Sequence, residues 1–459
     1  MAETELELSS LSNAARKTRV ERPGFLAGLA TVLGTQAGCV AMSVILEIIY
    51  ARVLGPSGRG TISLTLMAIA FGVLLGGLGG EIPLMVWSAD RRRKANEWLP
   101  AVVFWGAIGA FGSSGLWSLL YWVWHPAFLK GITPALAMLV LISIPSNILY
   151  SYVVAMVTGH EQFRGRAGVL LINQAAVLVS FLLLLVLFLR DARTAVLANL
   201  LGLLCGTIIG LRLLRKQIFG NWDFSAAKEK LGQALSLGVR GQIGNLATFF
   251  NYRLDVFIVN YFLNPSQVGL YAVGVLVSES LWQVPQAAAV TLLPRTARTL
   301  GEQDISFTCA VIRQVFALTC ISGIVLALLS PIVIPVVFGG RFSPSVTVVF
   351  WILPGTIAFA AGKVVSAELA ARGKPEYSSI FACVALAVTV VLDVALIPRM
   401  GISGAALASS VAYLVDALLI TMALKREIRV RWADLLFPST ADLAIYSQAW
   451  RKLRNLATA

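Results

Sequence analysis

Histidine is almost absent from this 459-residue chain, with His125 and His160 the only two. Zinc chemistry and histidine-dependent acyl transfer inside a membrane therefore have little to work with. Cysteine is also scarce. The five (Cys39, Cys205, Cys309, Cys320 and Cys383) lie in or beside apolar segments, and none forms a C-x-x-C pair. They read as small core residues, not disulfides or metal ligands. Charge is the largest deficit: 13 % of residues are Asp, Glu, Lys or Arg, against about a quarter in an average soluble domain. The first 23 residues lack an apolar core, open with Glu3, Glu5 and Glu7, and close on a basic cluster. They are read as a cytoplasmic tail and juxtamembrane anchor, not a signal peptide.

What fills the chain instead is apolar sequence, at 58 % of residues and a mean hydropathy of +0.80. Runs of roughly 20 residues, long enough to cross a bilayer core, recur along its length. They are continuously apolar and do not alternate residue by residue, which argues against an outer-membrane barrel. The expected fold is an all-α polytopic membrane protein with about twelve transmembrane helices, at 26–50, 61–87, 99–122, 133–157, 168–189, 195–214, 237–262, 267–294, 309–336, 345–371, 378–398 and 402–424. The segment 215–236 reads as a cytoplasmic interfacial linker between bundles 26–214 and 237–424. A tail of 1–25 precedes them, and a basic tail of 425–459 follows, in which 441–456 reads as an amphipathic helix.

Two observations support that division. Leu54-Gly-Pro56-Ser57-Gly-Arg-Gly60 returns as Leu263-Asn-Pro265-Ser266-Gln-Val-Gly269, each between two apolar segments. Gly159-His-Glu-Gln-Phe163 likewise matches Gly373-Lys-Pro-Glu-Tyr377. An even number of spans per half makes this a parallel repeat, with Pro56, Gly60, Pro265 and Gly269 as structural hinge residues. With both termini in the cytoplasm, 26 of the 37 basic residues fall on the inner side and seven on the outer, as the positive-inside rule expects. The net charge of +14 is then explained by the membrane surface, and no nucleic-acid partner is implied.

Four basic residues remain at membrane depth: Arg240, Arg253, Arg313 and Lys363, all in the second half. The first half embeds Glu47 and Glu81, with Gln36, Asn173 and Gln174. Such groups cost a few kcal/mol each on insertion scales, so they face a bundle interior or a wet cavity. Span seven has an apolar stripe (Ile243, Leu246, Phe250, Leu254, Phe257). The rest of its circumference carries Gln242, Asn245, Thr248, Asn251, Arg253 and Asp255, which either line a cavity or fix helix packing. Arg253 and Asp255 point well apart around the helix and are poor partners for each other. Glu279, Gln283 and Gln286 share one face of span eight. Lys363 either snorkels or serves the cavity. Arg240 and Arg313 sit near inner ends, where anchoring is the commoner use. Asp393 reads as interfacial, and Asp416 as a proton-coupling acid or a helix contact.

Three stretches carry a family resemblance: ARVLGPSGRG at Ala51–Gly60, Gly77-Leu-Gly-Gly80 before Glu81, and Tyr252–Gly274 around Asp255. With them, residues 26–424 resemble the polysaccharide flippases, the bacterial lipid-linked oligosaccharide exporters of the multidrug/oligosaccharidyl-lipid/polysaccharide exporter superfamily. The resemblance implies two six-helix bundles around a central cavity that alternates access across the bacterial inner membrane. It implies a non-enzymatic transporter that flips an undecaprenyl-pyrophosphate-linked oligosaccharide repeat unit outward for exopolysaccharide, O-antigen or lipopolysaccharide synthesis. Arg253, with Lys363 and Arg240, would neutralise pyrophosphate or acidic sugars. Asp255 or Glu279 would bind a coupling proton or sodium ion, with no other cofactor and no metal. Partners would be the lipid-linked glycan, membrane lipids, and glycan polymerase and chain-length machinery.

Three other readings stand beside it. A peptidoglycan-precursor flippase of the same superfamily usually has two further spans. A cation-coupled drug antiporter more typically carries an acidic cluster in its first half. A membrane glycan polymerase or ligase needs a large outer loop.

Overall fold

The computed structural model describes residues 22–428 apart from 91, 125–126, 161, 188–190, 219–221, 284 and 286–301, together with 430, 432 and 435. Residues 1–21 of the expected tail 1–25, and the expected amphipathic helix at 441–456, lie outside the described residues. Among the described residues every regular element is helical and there is no strand. The helices are α1 (Arg22–Gly77), α2 (Glu81–Ala89), α3 (Ala95–Trp124), α4 (Pro134–Gly159), α5 (Phe163–Leu187), α6 (Ala192–Leu213), α7 (Arg215–Ile218), α8 (Phe224–Phe262), α9 (Pro265–Glu279), α10 (Glu302–Phe338), α11 (Ser345–Ala371), α12 (Glu376–Met400) and α13 (Ile402–Ile428).

Nine of the described helices are long and apolar enough to cross a membrane, and the fold is that of a polytopic all-α membrane protein. The first of the nine carries two of the twelve expected spans, because Gly55 (φ 66°, ψ −175°) breaks α1 immediately before Pro56. The α8 and α9 helices, where spans seven and eight were expected, are not among the nine. Polar side chains dilute α8, and α9 is only 15 residues long.

Three boundaries differ from the expectation. The first hinge is a single residue, not a loop: glycine adopts the left-handed turn and proline starts the next helix without needing an N–H donor. The second span ends at Gly77, turns through Leu78 (φ 48°) and Gly79 (φ 70°), and restarts as α2. A side chain at Gly79 would collide with the Gly238 carbonyl, so the turn needs glycine for contact as well as conformation. The expected interfacial linker is not a separate element. After the four-residue α7, the 39-residue α8 runs unbroken through its second part and span seven. At 1.5 Å per residue α8 is about 58 Å long, well beyond a bilayer core of about 30 Å.

The described chain forms two compact units whose limits differ from the expected half boundaries. Among the described residues the first comprises those within 22–49, 68–119 and 134–242, and the second those within 50–67, 120–133 and 243–435. The middle of α1, around the first hinge, and the C-terminal end of α3 thus belong with the second unit, and α8 is divided between the two at residue 242.

The first unit closes on small residues. Gly202, Gly206 and Gly210 form a stripe along α6, and side chains there would meet Asn173 and Val177 of α5 and Tyr150 and Val153 of α4. Spacing by four lets the backbones approach, which is how helices associate where lipid is as apolar as the side chains. The Tyr152 hydroxyl donates to the Gly77 carbonyl at 2.9 Å, using an acceptor freed at the end of the α1 helix.

The second unit joins the two hinge motifs directly. A Cβ on Gly60 would strike the carbonyl of Pro265, and a Cβ on Gly269 would strike the carbonyl of Pro56. Each copy's glycine therefore receives the other copy's proline. Asn264 caps α9 by accepting from Gln267 N–H at 3.1 Å. Lys130 Nζ donates to the carbonyls of Tyr261 (2.6 Å) and Leu263 (3.3 Å), and Asn260 Nδ2 donates to that of Phe128 (2.7 Å). Arg52 Nε donates to the Val337 carbonyl at 2.8 Å. Lys130 and Arg52 thus bring positive charge to the free carbonyls at the C-terminal ends of α8 and α10.

Candidate functional site

The embedded polar residues of the second unit sort into three groups. In the first, Arg253 on α8 meets Glu279 at the end of α9 through two parallel bonds, Nη1–Oε1 at 3.2 Å and Nη2–Oε2 at 3.0 Å. The fork geometry of guanidinium and carboxylate is matched. Side-chain exposures of 33 % for Arg253 and 13 % for Glu279 leave the cation the more accessible partner. The separation of Arg253 from Asp255 expected from helix geometry holds: the two have different partners.

Asp255 anchors the second group. It is 4 % exposed and accepts hydrogen bonds from the Tyr271 hydroxyl, from Ser409 Oγ at 3.4 Å and from the Val256 N–H at 2.7 Å. Asp393 on α12 lies within electrostatic reach of it. Asp393 was expected at the interface, yet its residue exposure is 0 % and neither carboxylate oxygen has a hydrogen-bond partner among the described residues. Its position near a helix end misled, because the α12 that carries it packs closely against α13.

The third group surrounds Lys363 of α11. Its ammonium sits 4.3 Å from the Trp282 ring centroid, 5.2 Å from that of Phe359 and 5.4 Å from that of Tyr252. Tyr413 completes the aromatic cluster, stacked on Phe359 at 5.1 Å. The rings attract the cation by their quadrupoles, so Lys363 is held inside the unit and does not snorkel. A cavity of about 250 Å³ opens beside it, with Thr248, Asn251 and Asp416 in its walls.

The remaining sequence candidates do not all join these groups. Gln242 falls in the first unit, where its Nε2 donates to the Leu74 carbonyl. Asn245 and Gln283 are exposed. The Arg240 side chain and Gln286 lie outside the described residues. Sequence reasoning did not single out Tyr252, Tyr271, Trp282, Phe359, Ser409 or Tyr413. A run of aromatic and hydroxyl residues within apolar helices gives no cue to which of them meet a charge. The hinge residues Pro56, Gly60, Pro265 and Gly269 make the reciprocal contact described above.

The helical architecture, with charges embedded among long apolar helices, defines the class: a polytopic all-α membrane protein. The model of the family described as lipid II flippase MurJ matches residues 101–450. The chain therefore belongs to the lipid II flippase MurJ family, whose members are transporters and not enzymes. Among solved structures, a lipid II flippase MurJ in an inward closed conformation superposes with a TM-score of 0.71 and 14 % identity, covering 86 % of this chain and 87 % of that one. An inward-facing multidrug resistance MATE transporter of the MOP superfamily gives a TM-score of 0.57 at 14 % identity, with coverages of 83 % and 94 %. The MATE multidrug transporter DinF-BH gives 0.58 at 15 % identity, with coverages of 90 % and 96 %. At such identities the likeness is one of fold. No curated protein matches the sequence.

Proposed function

We propose that this chain flips a polyprenyl-pyrophosphate-linked saccharide from the inner to the outer leaflet by alternating access, and that the saccharide is of the peptidoglycan-precursor class. The observation that carries this reading is the family match across residues 101–450, which includes Arg240, Arg253, Arg313 and Lys363. It favours the peptidoglycan precursor, ranked second on sequence grounds, over the oligosaccharide repeat unit ranked first. Glycan polymerase and chain-length partners belong to the oligosaccharide reading alone.

The chemistry of the second unit supports an anionic headgroup. Arg253 keeps a third of its side chain accessible, and a guanidinium matches phosphate oxygens two at a time. Exchange of Glu279 for a pyrophosphate oxygen would cost little charge separation. Asp255 and Asp393 are the proposed seat of a coupling proton or sodium ion, with Asp416 a second candidate. The first pair is buried without a lysine or arginine in hydrogen-bond contact among the described residues. Cytoplasmic termini, argued from the 26-to-seven basic asymmetry, set the direction.

Proteoliposomes carrying the purified protein test the reading. They should expose a fluorescent peptidoglycan-precursor lipid to an external trap faster than protein-free vesicles. Faster exposure of an oligosaccharide-linked lipid alone would restore the first-ranked cargo. Failure with both, beside a working flippase control, would refute flippase function.

A further inference from the structure

The first unit holds a groove lined almost wholly by apolar side chains. It has a volume of about 320 Å³ and runs along α3 from Leu99 to Phe111, with Leu84, Pro145, Met156 and Trp222 among its other walls. Both polar side-chain groups in those walls are committed: the Tyr152 hydroxyl donates to the Gly77 carbonyl and Trp222 Nε1 to the Ile218 carbonyl, each at 2.9 Å. A buried water needs several polar partners, so water does not settle here. Val103, Phe111 and Leu149 line the groove and are 40 %, 75 % and 50 % exposed, so it opens on an apolar flank. From Leu99 to Phe111 the helix advances about 18 Å, close to the depth of one leaflet of a core about 30 Å thick. An apolar cavity of about 150 Å³ takes one benzene ring, so a space about twice as large takes a chain of about a dozen carbons.

In a bilayer, burial alone does not select the occupant, because lipid tails are as apolar as the walls. Selection falls to the charge at the mouth. One end of the groove, the inner end on the proposed orientation, carries the segments 90–97 and 211–223, with seven Lys or Arg against three Asp or Glu. The Asp223 N–H donates to the Asn96 carbonyl at 3.0 Å and ties the two segments together. Helical bonding continues past the end of α6, from Leu214 N–H to the Gly210 carbonyl and from Ile218 N–H to the Leu214 carbonyl. Leu211, Arg215 and Ile218 therefore share one face. Leu211 and Ile218 line the groove. Arg215 between them is exposed and has no ion pair or hydrogen bond among the described residues. Arg93, by contrast, is paired with Asp90 at 3.3 Å and lies over the Trp87 ring. We propose that this groove seats one acyl chain of an anionic inner-leaflet phospholipid, whose phosphate is held at the mouth by Arg215. A polyprenyl tail far exceeds the groove in length, and a zwitterionic headgroup brings a cation of its own to a basic mouth. The assignment does not depend on what the protein transports.

The full-length protein, delipidated in detergent, is titrated with phosphatidylglycerol or with phosphatidylcholine of matched acyl chains, and retained lipid is counted by native mass spectrometry. One phosphatidylglycerol should bind at least fivefold more tightly than phosphatidylcholine. Arg215→Gln should reduce that preference at least threefold and leave phosphatidylcholine retention unchanged. Ala107→Phe and Leu149→Trp fill the groove from α3 and from α4, and each should weaken phosphatidylglycerol retention at least tenfold. Val186→Trp, on the exposed end of α5, should not. Ala107 and Leu149 are exposed, so the larger rings displace no core side chain, and size-exclusion profiles identify a fold defect in either variant.

Equal affinity for the two lipids, or a preference that survives Arg215→Gln, overturns the headgroup assignment. Retention unaffected by both filling substitutions in folded protein overturns the groove. Displacement of phosphatidylglycerol by an equimolar sugar-free polyprenyl pyrophosphate makes the groove a seat for a carrier tail and overturns the phospholipid.

Discussion

Each unit contains a cavity, and the two are built from opposite materials. In the first unit a space of about 320 Å³ runs between α2, α3, α4 and α6, with walls such as Leu99, Val103, Ala107, Ile148 and Met156. Its one tyrosine, Tyr152, spends its hydroxyl on a backbone carbonyl. In the second unit a slightly smaller space is lined by Lys363, Asp416, Asn251 and Thr248. The first unit is packed through its glycine stripe and gives up little polar chemistry. The second buries Asp255 and Asp393 and half-buries Arg253, Glu279 and Lys363, and it must have a use for groups that cost a few kcal/mol each to insert. On the proposed reading, cargo recognition lies in the second unit, where these groups are gathered. The hinge motifs are the part that stays symmetric, since each proline carbonyl rests on the other copy's glycine.

The largest expected effect breaks that symmetric part. Gly60→Val and Gly269→Val should each lower stability by about 3 kcal/mol or more, because the added carbons meet backbone and not a side chain that can swing away. The thermal unfolding midpoint of the detergent-solubilised protein measures this, and similar losses for the two variants would support the reciprocal contact. A loss at only one position would show that the repeat is not symmetric in packing.

Next comes the ion pair. Arg253→Met alone strands a largely buried Glu279 and should cost about 1–3 kcal/mol. That is below the 3–5 kcal/mol for breaking a fully buried pair because a third of the arginine is exposed. The double variant Arg253→Met, Glu279→Gln should recover most of the midpoint. If it recovers nothing, the two side chains do not act on each other as described.

Lys363→Met should change stability less, by about 0.5–2 kcal/mol for a cation held over aromatic rings, while lowering transport of an anionic lipid. A drop in stability with normal transport would make the cage a packing device. The smallest effect belongs to Lys374, which lies in the turn between α11 and α12 and donates to Glu427 at 2.6 Å. That hydrogen bond raises its pKa from the ordinary lysine value. Any stabilisation is then fully present below the ordinary value and lost as pH rises through the raised one. Lys374→Ala should leave the midpoint at neutral pH within error.

Much of the architecture was legible because bilayer crossing writes itself as long apolar runs, and eleven of the twelve expected segments match a described helix over most of their length. The exception is the eighth, whose second part lies outside the described residues. The hinge motif was legible as a repeat, but not the reciprocal contact of its glycines, which depends on two helices 200 residues apart in sequence. The restart at Glu81 was missed because a left-handed turn at Leu78 runs against the propensity of leucine. The linker merged with α8 because nothing between Phe224 and Phe262 breaks a helix: its four glycines weaken one but do not end it. At the site, Arg253 was correctly separated from Asp255 by helix geometry. Its pairing with Glu279 and the burial of Asp393 depend on which helices pack together, and periodicity within one helix carries no such information.

The central claim is that the embedded cation of α8 serves an anionic, lipid-linked cargo beyond its role in packing. The transport rate of the Arg253→Met, Glu279→Gln double variant in proteoliposomes tests it most directly, because the variant removes the ion pair without stranding a charge. The account predicts a folded protein of near-normal stability whose rate for a pyrophosphate-linked saccharide falls at least tenfold. A wild-type rate in that same folded protein would contradict it.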